Sequence, residues 1–158
     1  MTILALDPSG TSITGYFLFK NWSSWKIGSI EAKNYLQQAK NIENLLKNHS
    51  VEFLVYETSF WWKTNSAQRD LQELVYLNGV LGWLAREQGC ETKPILNHSV
   101  KDMVMRQVLA NQPITGLTKT NQGWQFKNQS INPHERDAVV VFWIYWTRVL
   151  KREWPFAD

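Results

Sequence analysis

The chain carries a single cysteine, Cys90, in 158 residues. No disulfide can form within it, and a reducing compartment is the expected setting; the thiol itself reads as a small buried hydrophobe. No basic segment leads into an apolar core at the N-terminus, which argues against a secretory signal. The longest apolar run, Ala138 to Trp146, falls far short of the roughly 20 residues that a membrane-spanning helix needs. A cytoplasmic protein without a membrane partner is therefore expected. There is no His-Glu-x-x-His and no cysteine pair, which removes the common zinc sites. There is no Gly-x-Ser-x-Gly, which removes the usual serine-hydrolase elbow. Repeats, low-complexity tracts and linkers are also missing, so residues 1–158 read as one domain long enough to bury a core.

What is present is a globular composition, 44% hydrophobic and 20% charged, with nine tryptophans. Many of those rings must be half exposed or lie at an interface, because Trp is seldom fully buried. The net charge of +3 permits a polyanionic partner without requiring one.

Residues 2–7, 13–20 and 24–31 read as three strands joined by turns at Pro8-Ser9-Gly10 and Asn21 to Ser24. Connections this short force antiparallel neighbours. Tyr35, Ala39, Ile42 and Leu46 fall on one face of a helix, and 51–57 forms a fourth strand, parallel to the first after its helical crossover. A long helix over 66–88 carries Leu71, Leu74, Val75, Leu81 and Leu84 as its apolar stripe. Gly79 and Gly82 within it are expected to permit close packing against another element. Residues 91–96 form a fifth strand, marked as an edge by Pro94. Ser99 with Asp102 reads as the cap of a helix reaching Ala110. The polar stretch 111–132 is expected as an extended loop, with a small hairpin over 117–126. A last helix is capped by Asn132, with Pro133 first and Glu135 third. It is apolar almost all round from Val139 to Trp146, hence central to the fold or shared with a partner. The expected class is α/β: a mixed five-stranded sheet, three antiparallel strands then two parallel, flanked by helices on both faces.

The chemistry lies at strand ends. Asp7 closes the first strand and Glu57 the fourth. If these strands are parallel neighbours, both carboxylates emerge side by side, and like charges held close need a cation or a shared proton between them. His134 and Asp137, three apart on a helix, sit about 60° apart on one face. Glu135 points elsewhere and reads as a cap partner, with a place in the site left open. Oxygen-rich donors with one nitrogen suit Mg2+ or Mn2+. Two such ions about 4 Å apart can activate water and stabilise the leaving oxygen in phosphodiester cleavage.

These pieces resemble the RuvC-type Holliday junction resolvases of the ribonuclease H-like nuclease superfamily. LALDPSGTSITGY resembles the family's first strand-turn-strand, and VEFLVYETSFWWKTNSA its second acidic strand with the aromatic segment after it. CETKPILNHSVKDMV resembles the stretch that carries its basic residues, and HERDA its C-terminal His/Asp-x-x-Asp-Ala. The resemblance implies a homodimer that presents two magnesium sites to a four-way DNA junction and nicks strands of like polarity. The long helix over 66–88, with its glycines, is the preferred surface for that homodimer. It implies Asp7, Glu57, His134 and Asp137 as ligands, Lys101 as the basic residue near the scissile phosphate and Lys93 as a second DNA contact. An aromatic wedge after the second acid, Phe60 or Trp61, would enter the junction, with stacking worth roughly 1–3 kcal/mol per base. Lys63 and Arg69 would meet phosphates. Trp124, Phe126, Lys119 and Lys127 form a further group suited to DNA, a dimer contact or the core. Two departures, Asp-Pro-Ser in place of Asp-Pro-Gly and the longer 111–132 segment, mark a divergent member of phage or viral type, placed in the nucleoid or an infected cell.

Three other functions fit parts of the pattern: a ribonuclease H-like enzyme acting on RNA or other branched DNA, an actin-like ATP-binding fold, and a non-catalytic junction binder.

Overall fold

The computed structural model describes residues 1–58 and 68–157, the side chains of Gln68 and Arg69 excepted. Three strands come first, β1 (Ile3–Asp7), β2 (Ile13–Asn21) and β3 (Ser24–Glu31), then α1 (Tyr35–His49), β4 (Phe53–Thr58), α2 (Gln68–Glu87), β5 (Glu91–Leu96) and α3 (Asn97–Val108). Three short strands follow, β6 (Leu117–Thr120), β7 (Gly123–Phe126) and β8 (Gln129–Ile131). The chain then enters α4 (Pro133–Ile144), which widens into a π-helical turn at Tyr145–Val149.

The five long strands form one sheet in the order β3-β2-β1-β4-β5. β1 is antiparallel to β2 and parallel to β4, while β5 is parallel to β4 and forms the edge. Strand side chains alternate between faces, and the core divides accordingly. Leu4, Leu6, Tyr16, Leu18, Leu54 and Tyr56 pack with α1 and α2 residues such as Ile42, Leu46, Leu77 and Leu81. Ile3, Ala5, Phe17, Phe19 and Val55 pack on the other face with Val100, Met103 and α4. Helices on both faces of a mixed sheet are the expected architecture. The apolar run on α4 is resolved as well: Ala138 to Phe142 are fully buried within this chain.

Four local expectations need correction. The 111–132 segment is not a loop with one hairpin, since β6-β7-β8 form a second, three-stranded antiparallel sheet. Its Leu117, Trp124, Phe126 and Ile131 are buried in the α4-side core, where Phe126 meets Phe17 at 5.6 Å and Trp25 at 5.3 Å between ring centroids. Trp124 and Phe126 are therefore core residues, not DNA-facing ones. Helix α3 starts at Asn97, with Leu96 at the cap position and no side-chain cap bond. Asp102 instead pairs with Arg106 at 2.9 Å, one turn on. On α2 the buried stripe is Leu77, Leu81, Leu84 and Ala85, whereas Val75 is exposed. Among the described residues nothing lies within 4 Å of where a Cβ would stand at Gly79 or Gly82, so neither glycine serves close packing against them.

Two other glycines do. A Cβ on Gly10 would overlap the backbone of Glu73 and Leu74 on α2, so the glycine one place late in the Pro-Ser-Gly turn stands where that helix presses down. Ser9 stabilises the turn, its N–H donating to Thr14 Oγ1 at 2.9 Å and its Oγ accepting from Ser12 N–H at 3.1 Å. A Cβ on Gly15 would run into the backbone of His134 and Glu135. Gly15 pairs with Asp7 in the sheet, so its missing side chain lets the start of α4 lie against the end of β1.

Among the described residues, no helix is long and apolar enough to cross a membrane.

Candidate active site

The parallel register places Leu6 opposite Tyr56, so Asp7 and Glu57 follow at the same end of adjacent strands. Helix α4 brings its first turn to that end. Asn132 accepts the Glu135 N–H at 2.9 Å, and Glu135 Oε2 accepts the Asn132 N–H at 2.9 Å, a complete capping box. The other oxygen of Glu135 accepts from Ser29 Oγ at 2.6 Å. Both Glu135 oxygens are thus engaged in anchoring α4 to β3, and the side chain that faces the acids is His134. Its Nδ1 lies 2.7 Å from Asp7 Oδ2. Asp137, one turn along, receives Arg136 at 2.6 Å on its Oδ1.

Glu57 is the most constrained of the four. It is 9% exposed, its Oε1 accepts a hydrogen bond from Asn97 Nδ2, and its Oε2 is buried with no hydrogen-bond partner among the described residues. Burial, then the negative charge of Asp7, push its pKa up to about 8, with Asp137 adding to the rise and Asn97 and Lys101 opposing it. Burial also raises Asp137, against the pull of Arg136. His134 is raised chiefly by its hydrogen bond to Asp7. A helix N-terminus disfavours a cation through its dipole, whereas the Asp7 carboxylate facing His134 favours the imidazolium and outweighs its partial burial. Asp7, Pro8, Glu57, Thr58, Leu74 and Asn97 line an adjoining cleft of about 180 Å³.

All three shifts have one sign. A group whose pKa is higher in the folded state contributes stability that is complete below its unfolded pKa and is lost as pH rises through the folded value. For Glu57 that window runs from its ordinary 4.5 to about 8. The metal-free fold thus becomes less stable as pH climbs through this range, and a divalent cation, which replaces the protons, gains affinity over the same range.

The donor set fits Mg2+ or Mn2+. Three carboxylates and one imidazole come from β1, β4 and α4, and the buried Glu57 oxygen without a donor is the atom a cation would satisfy. Among the described residues, no three His, Cys, Asp or Glu donors are drawn into a ready-made cage. Asp7 is tied to His134 and Asp137 to Arg136, and Mg2+ in any case keeps several waters and takes only one or two carboxylates from the protein.

The remaining predicted residues divide by position. Lys101 is exposed on the first turns of α3, close enough to lower the Glu57 pKa. Lys93 is exposed on the edge strand opposite Val55, short of the carboxylate end, and Lys119 is exposed on β6. Lys127 lies 6.0 Å over the Phe156 ring. Phe60, Trp61, Lys63 and the Arg69 side chain fall outside the described residues. Sequence reasoning missed Asn97 and Arg136. Asn97 enters the site because β5 lies beside β4, with Leu96 opposite Thr58, a pairing that no local motif announces.

No protein-family model matches the sequence, and no curated protein matches it. Among solved structures, the chain is similar to T. thermophilus RuvC in complex with a Holliday junction substrate, at 14% identity over 89% of each chain with a TM-score of 0.58. It is similar to the Thermus thermophilus RuvC structure at 14% identity, over 89% of this chain and 90% of that one, with a TM-score of 0.59. YeaZ from Pseudomonas aeruginosa is also similar, at 10% identity over 93% of this chain and 92% of that one, with a TM-score of 0.51. The fold is thus the RuvC-type, ribonuclease H-like one. A fold shared by proteins this different does not choose an activity, so the site must.

Proposed function

We propose that this chain, built on the RuvC-type fold, is a single-domain, divalent-metal-dependent endonuclease that resolves four-way DNA junctions by paired nicks. The observation that carries the reading is that Asp7 and Glu57 end parallel neighbouring strands, with His134 of α4 against Asp7 and with both Asp7 and Asp137 close enough to raise the Glu57 pKa. The likeness in fold to RuvC supports it.

Asp7, Glu57, His134 and Asp137 would hold Mg2+ or Mn2+, two ions per active site. Bound there, the metal supplies Lewis acidity toward a phosphate oxygen and a water acidic enough to attack near neutral pH. The chain's residues do the rest. Asn97 fixes one oxygen of Glu57 and leaves the other turned inward. The capping box and Ser29 hold α4 at one depth, so His134 and Asp137 meet β1 in a fixed register. Lys101 sets a positive charge beside the cleft, where a scissile phosphate would need one. Lys93, Lys119, Phe60 or Trp61, Lys63 and Arg69 are the proposed DNA contacts. A homodimer supplies the second nick, and we place the partner on the outer side of α2, where Val75, Tyr76 and Trp83 are exposed beside the open Gly79 and Gly82.

The test is a substrate panel in Mg2+: four-way and three-way junctions, flaps, linear duplex and RNA–DNA hybrid. Four-way junctions are expected to be cut at least tenfold faster than the others, with paired nicks. Equal rates on all branched forms, or preference for the hybrid, would instead assign a broader ribonuclease H-like nuclease.

A further inference from the structure

We infer that the second sheet braces the candidate active site: Trp124 of β7 holds the Arg136 guanidinium, and Arg136 in turn fixes the Asp137 carboxylate. The inference rests on the proposed function and names two positioning residues for it.

The geometry is unusual for a helix. Residues at i and i+1 project about 100° apart and do not normally meet, yet both Nε and a terminal nitrogen of Arg136 reach Asp137 Oδ1 at 2.6 Å. To do so the Arg136 side chain must fold back across the first turn of α4. Trp124 gives it the surface to lie on, with the guanidinium carbon 5.0 Å from the ring centroid. The pair is sheltered: the Arg136 side chain is 17% exposed and Trp124 8%. A cation sandwiched between an indole face and a carboxylate is worth more there than in water, and its planar fork sets a direction that a lysine ammonium cannot. Both donors act on Oδ1. Among the described residues no hydrogen bond reaches Oδ2, so this oxygen is presented in one orientation.

The sheet is suited to act as a brace. Strand β8 ends at Ile131 and passes directly into the Asn132 cap of α4, while β7 carries Trp124 paired with Ile131 in register. Leu117, Phe126 and Ile131 seat the sheet in the α4-side core. The same element therefore fixes where α4 begins and what its second charged side chain touches. It gives a structural role to a segment longer than the resemblance calls for, with Lys119 on its exposed side left to the DNA.

Four variants test this: Arg136→Lys, which keeps the charge but not the fork, Trp124→Leu and Trp124→Phe, which keep the burial without and with a ring, and Asp137→Asn, which removes the charged acceptor. Three readouts apply. The 1H–15N spectrum of the metal-free protein should show a hydrogen-bonded Arg136 Nε–H that exchanges slowly and is lost in Trp124→Leu and Asp137→Asn. Mn2+ affinity measured by calorimetry without DNA should fall at least threefold in Trp124→Leu and Arg136→Lys, although neither changes the formal charge. On junction DNA, kcat should fall about tenfold or more with KM unchanged, and Trp124→Phe should restore most of it. If wild type cuts no junction, the functional reading fails, while the spectrum and the Mn2+ titration still decide the brace. Wild-type exchange and Mn2+ affinity in a folded Trp124→Leu protein would overturn it. Tighter Mn2+ binding in Arg136→Lys would overturn it too, because Arg136 would then be a competitor for Asp137.

Discussion

Asp7→Asn is expected to abolish Mg2+-dependent junction cleavage while leaving junction binding within a few fold of wild type. The amide is nearly isosteric and sits at the open end of β1, so the buried residues Ile3 to Leu6 keep their packing on both faces. What is lost is the charge. Asp7 Oδ2 pairs with His134, and the same carboxylate is the negative charge that raises the Glu57 pKa most. A neutral side chain removes an anionic donor from the centre of the proposed site. Loss of one preorganised electrostatic group from a catalytic centre costs on the order of 10²- to 10³-fold, and a charged ligand should cost at least that. Rates from radiolabelled junctions, alongside mobility shifts in Ca2+, separate the two effects. Persistent cleavage by a clean preparation would remove Asp7 from the chemistry. The substitution should also return Glu57 toward the ordinary carboxylate range, since one of the charges opposing its ionisation is gone.

Gly15→Ala is expected to be the most damaging single-methyl change in the molecule. The new Cβ would collide with the carbonyl group of His134 and the Glu135 nitrogen. These are backbone atoms at a capped helix start, which cannot rotate away as a side-chain tip can. Overpacking of this kind costs about 1–3 kcal/mol, and the relief available is to push α4 off β2. His134 and Asp137 travel with that helix. A displacement of about 1 Å in a catalytic group is enough to cost around 10²-fold in rate. The expected outcome is a folded protein with a lower Tm and a cleavage rate reduced at least a hundredfold. Gly79→Ala on α2, where no described residue lies within 4 Å, should instead hold or slightly raise the Tm, because Ala is the better helix former by about 1 kcal/mol. Equal effects of the two substitutions would show that Gly15 is not a contact point.

Much of this fold is legible in the sequence because its signals are local. The strand over Ile3 to Asp7, the turn at Pro8 to Gly10 and the Asn132-Pro133-x-Glu135 start of α4 each declare themselves within a few residues. The end of the sheet at which Asp7, Glu57, His134 and Asp137 emerge is legible too, since a strand end or a helical spacing of three fixes where each side chain stands. The rest depends on contacts between distant segments. Asn97 reads as an ordinary residue ahead of a Ser99 cap, and only the β4–β5 pairing turns it toward Glu57. The polar residues between Ile114 and Ile131 hide an alternation that buries Leu117, Trp124, Phe126 and Ile131, because β6 and β8 are only four and three residues long. Glycine is the most ambiguous sign of all. Gly15 marks a close approach, whereas Gly79 and Gly82, which look like helix-packing residues, face open space. His134 shows the limit of a one-element argument: the helix dipole alone disfavours its cation, whereas the facing Asp7 favours it.

The central claim is that Asp7, Glu57, His134 and Asp137 form one divalent-metal centre. Calorimetric unfolding of the wild-type protein at pH 5.5 and pH 8, with and without Mn2+, tests it most directly. Without metal, the Tm should fall between the two pH values, because Glu57 holds its proton up to about pH 8 in the folded protein against an ordinary 4.5, so the stability that this proton contributes declines over the range. Saturating Mn2+ should raise the Tm at pH 8 by several degrees, do so much less at pH 5.5, and have no effect on Glu57→Gln at either. A Mn2+ shift that is equal at both pH values and survives in Glu57→Gln, or no shift at all, would contradict the assignment.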